Sequence, residues 1–226
     1  MSSSPDKAEQ ILPGLISAIT PQKNRRQRYS VFVDDEFLVG VSESVLVEQN
    51  LHKGQKLTLE QFRNIQYAEN YHFIRQYFLK LLGQRDHTRK ELHQKARKKG
   101  IDDPSTLEIV LDELEDKDWI DHNSFAESFI RDKFRFNQWG PYKIGRALQQ
   151  KGIERSMAHR LTDEYFEEVD LFKTFSNLVE KKRYKFNRET DTFRKRKKVF
   201  DYLRRKGYHT QQINTYIDRL MQELNQ

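Results

Sequence analysis

The stretch that decides the fold runs from Trp119 to Ile153 and reads WIDHNSFAESFIRDKFRFNQWGPYKIGRALQQKGI. Its second half contains a motif, [aliphatic]-x3-[Ala/Leu]-x2-Lys-Gly-[Ile/Tyr], that occurs three times in the chain. The copies comprise Leu92, Ala96, Lys99, Gly100 and Ile101; Ile144, Leu148, Lys151, Gly152 and Ile153; and Val199, Leu203, Lys206, Gly207 and Tyr208. The glycines lie 52 and 55 residues apart. This near-constant period predicts an array of small supersecondary units.

Each copy of the motif predicts the end of a helix. Apolar residues four apart lie on one helical face. The lysine places a cation at the negative end of the helix dipole, and the glycine supplies the left-handed residue that ends the helix. Helix starts are marked by Thr88-x-x-Glu91, which has the form of a capping box, and by Pro141, which suits a first helical turn. One copy would be ordinary helix punctuation, whereas three at this spacing indicate a repeat.

Composition limits the class of protein. The 226 residues suffice for one large domain or several small ones, and 36% hydrophobic with 33% charged residues is typical of an elongated helical array. The absence of cysteine excludes disulfides, thiolate metal sites and cysteine nucleophiles. The sequence has no apolar run of membrane-spanning length and no signal-peptide pattern at its N-terminus, so we expect a cytoplasmic protein.

The N-terminal part contains the clearest β signal. Tyr29–Val33 and Phe37–Val41 alternate on either side of Asp34-Asp35, which predicts a β-hairpin. A short helix beginning near Ser44 is expected to cover it, because a lone hairpin is marginally stable in water. The preceding segment, Gln22–Arg28, is predicted to be a solvated basic linker, with a phosphate-contacting arm as the alternative.

From about Ala68 onward the apolar pattern is helical. The predicted fold class is therefore mainly α, a tandem array of three three-helix repeats preceded by a small N-terminal segment of β-hairpin and short helix. The expected divisions are a disordered lead-in over residues 1–20, the hairpin segment over 21–65, and repeats over 66–120, 121–169 and 170–226. Aromatic stripes in the repeats could stack nucleic-acid bases, but at helical spacing they are more often core.

Basic residues concentrate on the predicted second helices. The net charge of +7 and the pI of about 9.4 fit either ordinary solubility or an anionic partner such as nucleic acid. Residues 181–206 carry thirteen basic and three acidic residues, a density that favours phosphate contact. The candidate nucleic-acid- or filament-binding residues are Arg89, Lys90, Lys95, Arg97, Lys98, Lys143, Arg146, Arg194, Lys195, Arg196, Lys197, Lys198, Arg204 and Arg205.

The order of residues in the central stretch resembles a known family. With Ile120 before them, the motif residues follow the central repeat of the regulatory protein RecX family: Asp121, Phe125, Ala126, Gly140, Ile144, Leu148, Lys151, Gly152 and Ile153. The flanking repeats and the hairpin keep that family's order, so the similarity spans about Tyr29 to Leu224. His122 departs from the pattern, which usually has a second acidic residue there, and this puts a local helix cap in doubt. A basic insertion near Tyr184–Arg196 makes the third repeat atypical.

The resemblance implies both a fold and a function. It implies an all-α array of three three-helix repeats, and a modulator of the RecA recombinase that binds along the groove of the RecA–DNA filament. Proteins of this kind typically limit filament growth and so reduce strand exchange, ATPase and coprotease activity in DNA repair and the SOS response. The implied partners are RecA and single-stranded DNA, with double-stranded DNA as a further candidate, and no cofactor, metal or membrane. We expect a monomer, because the array has no evident self-complementary apolar face.

Three other classes of protein compete with this interpretation. An enzyme is disfavoured, because the chain lacks a Gly-rich phosphate loop, His-Glu-x-x-His and Gly-x-Ser-x-Gly, and its seven histidines show no paired ligand spacing. Glu180-Lys181-Lys182 with Asp170 only faintly resembles a nuclease set. A stand-alone DNA-binding protein of tandem helix-turn-helix-like units remains open, as does a helical adaptor without a nucleic-acid role.

Overall fold

The computed structural model describes residues 5–23 and 27–225. Within these residues it contains twelve helices and four strands, which confirms the mainly α class with a small β segment near the N-terminus. The chain divides into two compact units. The first comprises Met1–Leu81 with Ala96–Asp116, and the second comprises Leu82–Lys95 with Lys117–Gln226.

The first unit contains a four-stranded antiparallel sheet in the order β3-β2-β1-β4. The strands are β1 (Gly14–Pro21), β2 (Arg28–Val33), β3 (Glu36–Ser42) and β4 (Lys56–Leu57). The predicted hairpin is β2 with β3, joined at Asp34 and Asp35, whose φ angles of 47° and 67° are those of a tight hairpin turn. The helix α2 (Glu43–Glu48) follows directly, with the Ser42 side chain accepting from the Val45 amide.

The prediction of a disordered lead-in over residues 1–20 is wrong for most of its length. Helix α1 (Pro5–Ile11) and strand β1 occupy it, while residues 1–4 lie outside the described part of the chain. Strand β1 pairs with β2 on one side and β4 on the other, and Ile16 between them is buried. Strand β2 follows closely after residues 22–27, but β4 lies beyond β3 and α2, and a register shift between Ile16 and Ala18 interrupts the alternation along β1.

The predicted basic linker, Gln22 to Arg28, connects the paired strands β1 and β2. The Gln22 amide donates to the Arg28 carbonyl at 2.9 Å. Residues 24–26 of this predicted linker lie outside the described residues.

The long helix α3 (Leu59–Leu82) crosses the predicted division at residue 65. Its Phe62, Ile65 and Ala68 are buried in the core of the sheet. Its C-terminal half belongs to the first three-helix repeat, with α4 (Arg89–Lys99) and α5 (Pro104–Asp116). The division between the two units falls inside α4.

The acidic helix α5 uses part of its charge within the first unit. Tyr71 and Arg75 of α3 both bind the Glu113 carboxylate, Arg75 at 3.1 Å. Asp103 accepts from the side chains of Asn70 and Thr106 at the start of α5. Burial alone would raise the pKa of Asp103, but these hydrogen bonds and others from Thr106 and Ser105 outweigh it and lower the pKa to about 2.

The second unit consists of two further repeats around one apolar core. The helices are α6 (His122–Asn137), α7 (Pro141–Gln150), α8 (Arg155–Glu167), α9 (Leu171–Glu180), α10 (Arg183–Asn187), α11 (Thr192–Lys206) and α12 (Thr210–Asn225). The short helix α10 falls in the predicted basic insertion and buries Phe186 in that core. The third repeat therefore has a fourth helix.

The helix ends follow the punctuation seen in the sequence. Asp121 caps α6 by accepting from the amides of Asn123 and Ser124. His122 is the first helical residue, so the departure at that position leaves the cap intact. Gly100, Gly152 and Gly207, which follow the motif lysines, have φ angles of 77°, 93° and 98°, as expected for left-handed residues that end helices.

Candidate nucleic-acid and filament interface

The candidate interface lies in the second unit, where the start of α7 meets the end of α11. The Gly140 amide donates to the Lys206 carbonyl at 2.8 Å, and the Tyr142 amide donates to the Gly207 carbonyl at 3.0 Å. Gly140 is the N-cap residue of α7 and Tyr142 lies in its first turn, where N–H groups have no partner within their own helix. The Lys-Gly motif that ends one second helix therefore receives the start of the preceding second helix.

The close approach requires glycine on both sides. A Cβ added to Gly140 would lie 2.6 Å from the Gly207 carbonyl oxygen, and a Cβ on Gly207 would lie 2.7 Å from the Lys143 amide nitrogen. The motif residues around this contact form the core. Phe125, Ala126, Ile144, Leu148 and Ile153 are all buried.

A groove of about 360 Å³ runs along this helix junction. It brings together four of the predicted basic residues, Lys143 and Arg146 from α7 with Arg204 and Arg205 from α11. The three arginines are exposed. Arginine presents planar donors that match phosphate oxygens, so two repeats together supply what neither has alone. The remaining lining residues are Trp139, Tyr142, Ala147, Gln150 and Gly207.

Two aromatic residues that the sequence analysis did not single out lie in the groove. The Lys143 ammonium is 4.4 Å from the centroid of the half-buried Trp139 ring, and the Lys133 ammonium is 5.4 Å from it. Tyr142 is 62% exposed. Exposed aromatic rings beside cations form the stacking surfaces on which single-stranded nucleic acids bind. The sequence does contain a signal for these two residues. They flank Gly140-Pro141 at the start of a helix, whereas core aromatic residues recur at helical spacing.

Further lysines surround the turn between α6 and α7. Lys206 donates to the Asn137 carbonyl at 2.8 Å, and Lys181 donates to the Gln138 side chain at 3.0 Å. Burial lowers the pKa of Lys206, and the neighbouring charges of Lys143, Lys181 and Lys182 lower it further. An anion placed here would relieve this repulsion.

The equivalent junction between α4 and α7 is electrically different. The Thr88 hydroxyl donates to the Lys151 carbonyl at 2.6 Å and also accepts from the Glu91 amide. The Glu91 carboxylate binds Lys151 at 2.6 Å and Arg85 at 2.8 Å. Burial opposes ionisation of Glu91, but the hydrogen bonds from Arg85 and Lys151 outweigh it and lower the pKa. Glu91 and Lys143 each directly precede the first apolar residue of their copy of the motif. Because α7 has a cation where α4 has an anion, the junction between α7 and α11 is positive.

Three of the five basic residues in the dense run Arg194–Lys198 contact polar groups within the protein, and two of these contacts are ion pairs. Arg196 pairs with Asp218, Lys198 with Glu189 at 2.6 Å, and Lys195 with Asn225 at 3.2 Å. Each partner lies outside α11. Charge density in the sequence therefore overstates the charge that this run offers to a ligand.

The predicted basic residues of α4 do not enter the groove. The aliphatic chain of Lys90 packs over Gly152, whereas Arg97 and Lys98 are exposed near the end of the helix. Arg89 is half-buried and Lys95 is exposed. Lys90 thus serves the junction between repeats.

The faint nuclease set is not assembled. Asp170 caps the start of α9, and Glu180 ends the same helix and pairs with Arg183. A ten-residue helix separates its ends by roughly 15 Å, too far for two carboxylates to share a metal ion. Among residues 5–23 and 27–225, no cluster of three or more potential ligands for a metal is found. In the same residues, no helix has both the length and the apolar character needed to cross a bilayer.

Comparison with known families matches three successive segments of the chain. Residues 14–58 match the regulatory protein RecX N-terminal domain, residues 75–114 the first three-helix domain of RecX, and residues 121–160 its second three-helix domain. The chain belongs to the RecX family of regulatory proteins.

Individual RecX proteins are similar over most of the chain. The regulatory protein RecX of Staphylococcus carnosus is 28% identical and covers 91% of this chain, which spans 75% of that relative. That of Clostridium acetobutylicum is 27% identical, with coverage of 93% and 98%. A crystal structure of a regulatory protein RecX superposes with a TM-score of 0.74 at 27% identity, covering 91% of this chain and 99% of the other. RecX from Lactobacillus salivarius gives 0.59 at 25% identity, over 70% and 98%.

Proposed function

We propose that this protein binds the RecA–DNA filament and limits the recombinase, ATPase and coprotease activities of RecA in DNA repair and the SOS response. Membership of a family of regulatory proteins supports a regulatory role. The groove between α7 and α11 supports DNA as a ligand, because it places three exposed arginines and Lys143 beside Trp139 and Tyr142. In this proposal the protein acts as a monomer in the cytoplasm.

The chemistry of the groove favours an extended single strand. Cations along the junction suit consecutive phosphates, while the exposed ring of Tyr142 offers a face to an unstacked base. A duplex would present phosphates but keep its bases stacked. Single-stranded DNA is therefore the preferred ligand, and double-stranded DNA is a weaker one held by its backbone alone.

A series of repeats also suits a polymeric target. A repeat array contacts its partner through several successive units, so one molecule can span neighbouring subunits of a helical filament. The basic second helices α7 and α11 would face DNA, and acidic third helices such as α5 would meet basic surface on RecA.

The decisive experiment measures ATP hydrolysis by RecA on single-stranded DNA, with this protein added well below one copy per RecA. We expect inhibition at that ratio, because only action on a polymer allows few molecules to silence many. A variant with Arg146, Arg204 and Arg205 replaced by alanine should inhibit less. If hydrolysis is unaffected even at equimolar protein, the proposal is wrong and a stand-alone DNA-binding protein becomes the better explanation.

A further inference from the structure

The three Lys-Gly motifs differ in whether the start of another helix packs against them. The motifs at Gly152 and Gly207 each receive the first turn of another second helix, α4 and α7 respectively. We call each such helix end a socket. It consists of the lysine, the glycine and the backbone carbonyl groups that have no donor within their own helix. The third socket, Lys99-Gly100 at the end of α4, has the same sequence and the same left-handed glycine, with a φ of 77°.

The two filled sockets show what an occupant must supply. At Gly207 the occupant supplies two backbone N–H groups to the carbonyls of Lys206 and Gly207. At Gly152 it supplies the Thr88 hydroxyl to the Lys151 carbonyl and a carboxylate, Glu91, to the Lys151 ammonium at 2.6 Å. Both occupants are the first turns of helices, where N–H groups lack partners and the helix dipole is positive.

The socket at Lys99-Gly100 is open. A Cβ added to Gly100 would meet no atom within 4 Å, whereas one on Gly152 would lie 2.8 Å from Lys90. Across residues 5–23 and 27–225, no backbone amide outside α4 donates to the Lys99 or Gly100 carbonyl. Lys99 is exposed and lies 5.9 Å from the centroid of the Tyr77 ring. Arg97 and Lys98 beside it are exposed too.

The charge around the open socket defines its occupant. Carbonyl oxygens require a donor and repel a phosphate, so this surface does not suit DNA. Arg97, Lys98 and Lys99 outnumber the exposed Asp102 that follows Gly100, so the partner should carry negative charge at this surface. A helix start with an acidic residue in its first turn satisfies both needs, as Thr88 with Glu91 does at the filled socket.

A second copy of this chain is a poor occupant. In α11 the position equivalent to Gly140 is Lys195, four residues before the first apolar residue of the motif. Helix α11 begins earlier, at Thr192, so its extra turn covers the position that would have to dock. The run Arg194–Lys198 would also bring positive charge against Arg97, Lys98 and Lys99.

We propose that the Lys99-Gly100 end of α4 is a docking site for the first turn of an acidic helix of a partner protein. Resting on the proposed function, that partner is the RecA protein within the filament. The site then separates the two ligands of the molecule: the groove between α7 and α11 contacts DNA, and the open socket contacts protein.

The test compares two Lys-Gly pairs in the same chain. Gly100→Gln places a side chain in the socket without changing net charge, and Lys99→Glu reverses the cation that would bind the partner's carboxylate. Lys53-Gly54 provides the control, because Gly54 also has a positive φ, 85°, and an added Cβ there also meets nothing within 4 Å. Gly54→Gln and Lys53→Glu therefore reproduce the backbone strain and the charge change away from any helix end.

Binding of each labelled variant is measured by fluorescence anisotropy on RecA filaments, assembled on single-stranded DNA with a non-hydrolysable ATP analogue, and on the same DNA alone. We expect Gly100→Gln and Lys99→Glu to weaken filament binding about tenfold, the loss of one docked helix turn. Gly100→Gln should change binding to bare DNA less than about twofold, because no phosphate contact is removed. The variants at Lys53 and Gly54 should bind filaments as the parent protein does.

Three results would overturn the proposal, and they are distinguishable. If Gly100→Gln binds filaments as tightly as the parent protein does, the open socket is not a docking site, and the proposed function is unaffected. Equal losses on filaments and on bare DNA assign the residue to DNA instead of protein. If the parent protein itself fails to bind filaments, the proposed function fails first, and RecA is not the occupant.

Discussion

The amide nitrogen of Lys143 lies so close to Gly207 that a Cβ on the glycine would come within 2.7 Å of it. This contact joins the start of α7 to the end of α11, and the groove with the four clustered cations exists because of it. Position 207 therefore favours glycine for two separate reasons: its φ is positive, at 98°, and there is no room for a side chain.

Replacement of Gly207 by alanine should lower the free energy of unfolding by about 2–5 kcal/mol. Left-handed backbone costs an alanine about 1–2 kcal/mol, and overpacking against backbone atoms adds about 1–3 kcal/mol. Urea denaturation followed by circular dichroism measures the change. The matched control is Gly152→Ala, where φ is also positive but the added carbon comes no closer than 2.8 Å to another residue, at the Lys90 Cβ, and meets no backbone atom as close as the Lys143 amide is to Gly207, so a smaller loss is expected. Equal losses for the two variants would show that the close contact is unimportant.

Glu91 should stabilise the protein in a pH-dependent manner. Its side chain is 8% exposed and binds two cations that are about half exposed, so Glu91→Gln should cost about 1–2 kcal/mol at neutral pH. Because folding lowers its pKa below the usual 4.5, the stabilisation is present above that value and is lost as the pH falls through the lowered pKa.

The measurement is the urea midpoint of parent and variant between about pH 7 and pH 3. The two should converge at the acid end. Glu164→Gln provides the control, since its pair with Arg160 is exposed on both sides and contributes little. A difference that persists at the acid end would mean that packing, not charge, explains the effect of Glu91.

The repeat and its helix ends were predictable because their signals are local. A glycine after lysine at the end of an apolar stripe determines where each second helix stops, and the hairpin turn at Asp34-Asp35 is equally local. Strand β1 escaped prediction because a register shift between Ile16 and Ala18 interrupts its alternation and because its second partner, β4, is distant in sequence. The division expected at residue 65 failed because α3 serves the sheet core and the first repeat with one continuous helix.

The site was only partly predictable, for an electrostatic reason. Lys143, Arg146, Arg204 and Arg205 were among the candidates, but their convergence depends on the contact between two motifs, and Trp139 and Tyr142 were missed. The run Arg194–Lys198 has the highest density of basic residues, yet two of its five cations are paired with Asp218 and Glu189, which lie on other segments. Pairing between helices cannot be counted from the sequence of one helix.

Trp139 should report directly on DNA binding. The chain has two tryptophans, and the other, Trp119, is 52% exposed before α6 and outside the groove. In a Trp119→Phe variant, single-stranded DNA should quench or shift the emission of Trp139, because a strand in the groove displaces the lysines stacked on that ring. The reciprocal Trp139→Phe variant should show little change at the same saturation. A response from Trp119 alone would place the DNA elsewhere.

The groove and the dense run can be separated by the salt dependence of DNA binding. Each lost phosphate contact lowers the log–log salt slope by about 0.7 on single-stranded DNA. Replacing Arg146, Arg204 and Arg205 by alanine should therefore reduce the slope by about two. The matched triple variant replaces Lys195, Arg196 and Lys198, which removes the same charge but only residues already bound to Asn225, Asp218 and Glu189. We expect that variant to reduce the slope by less than about one, measured by anisotropy across a salt titration.

Equal reductions would show that DNA competes successfully for the paired cations and that the groove has no special role. An effect confined to the run would instead move the DNA site to the start of α11.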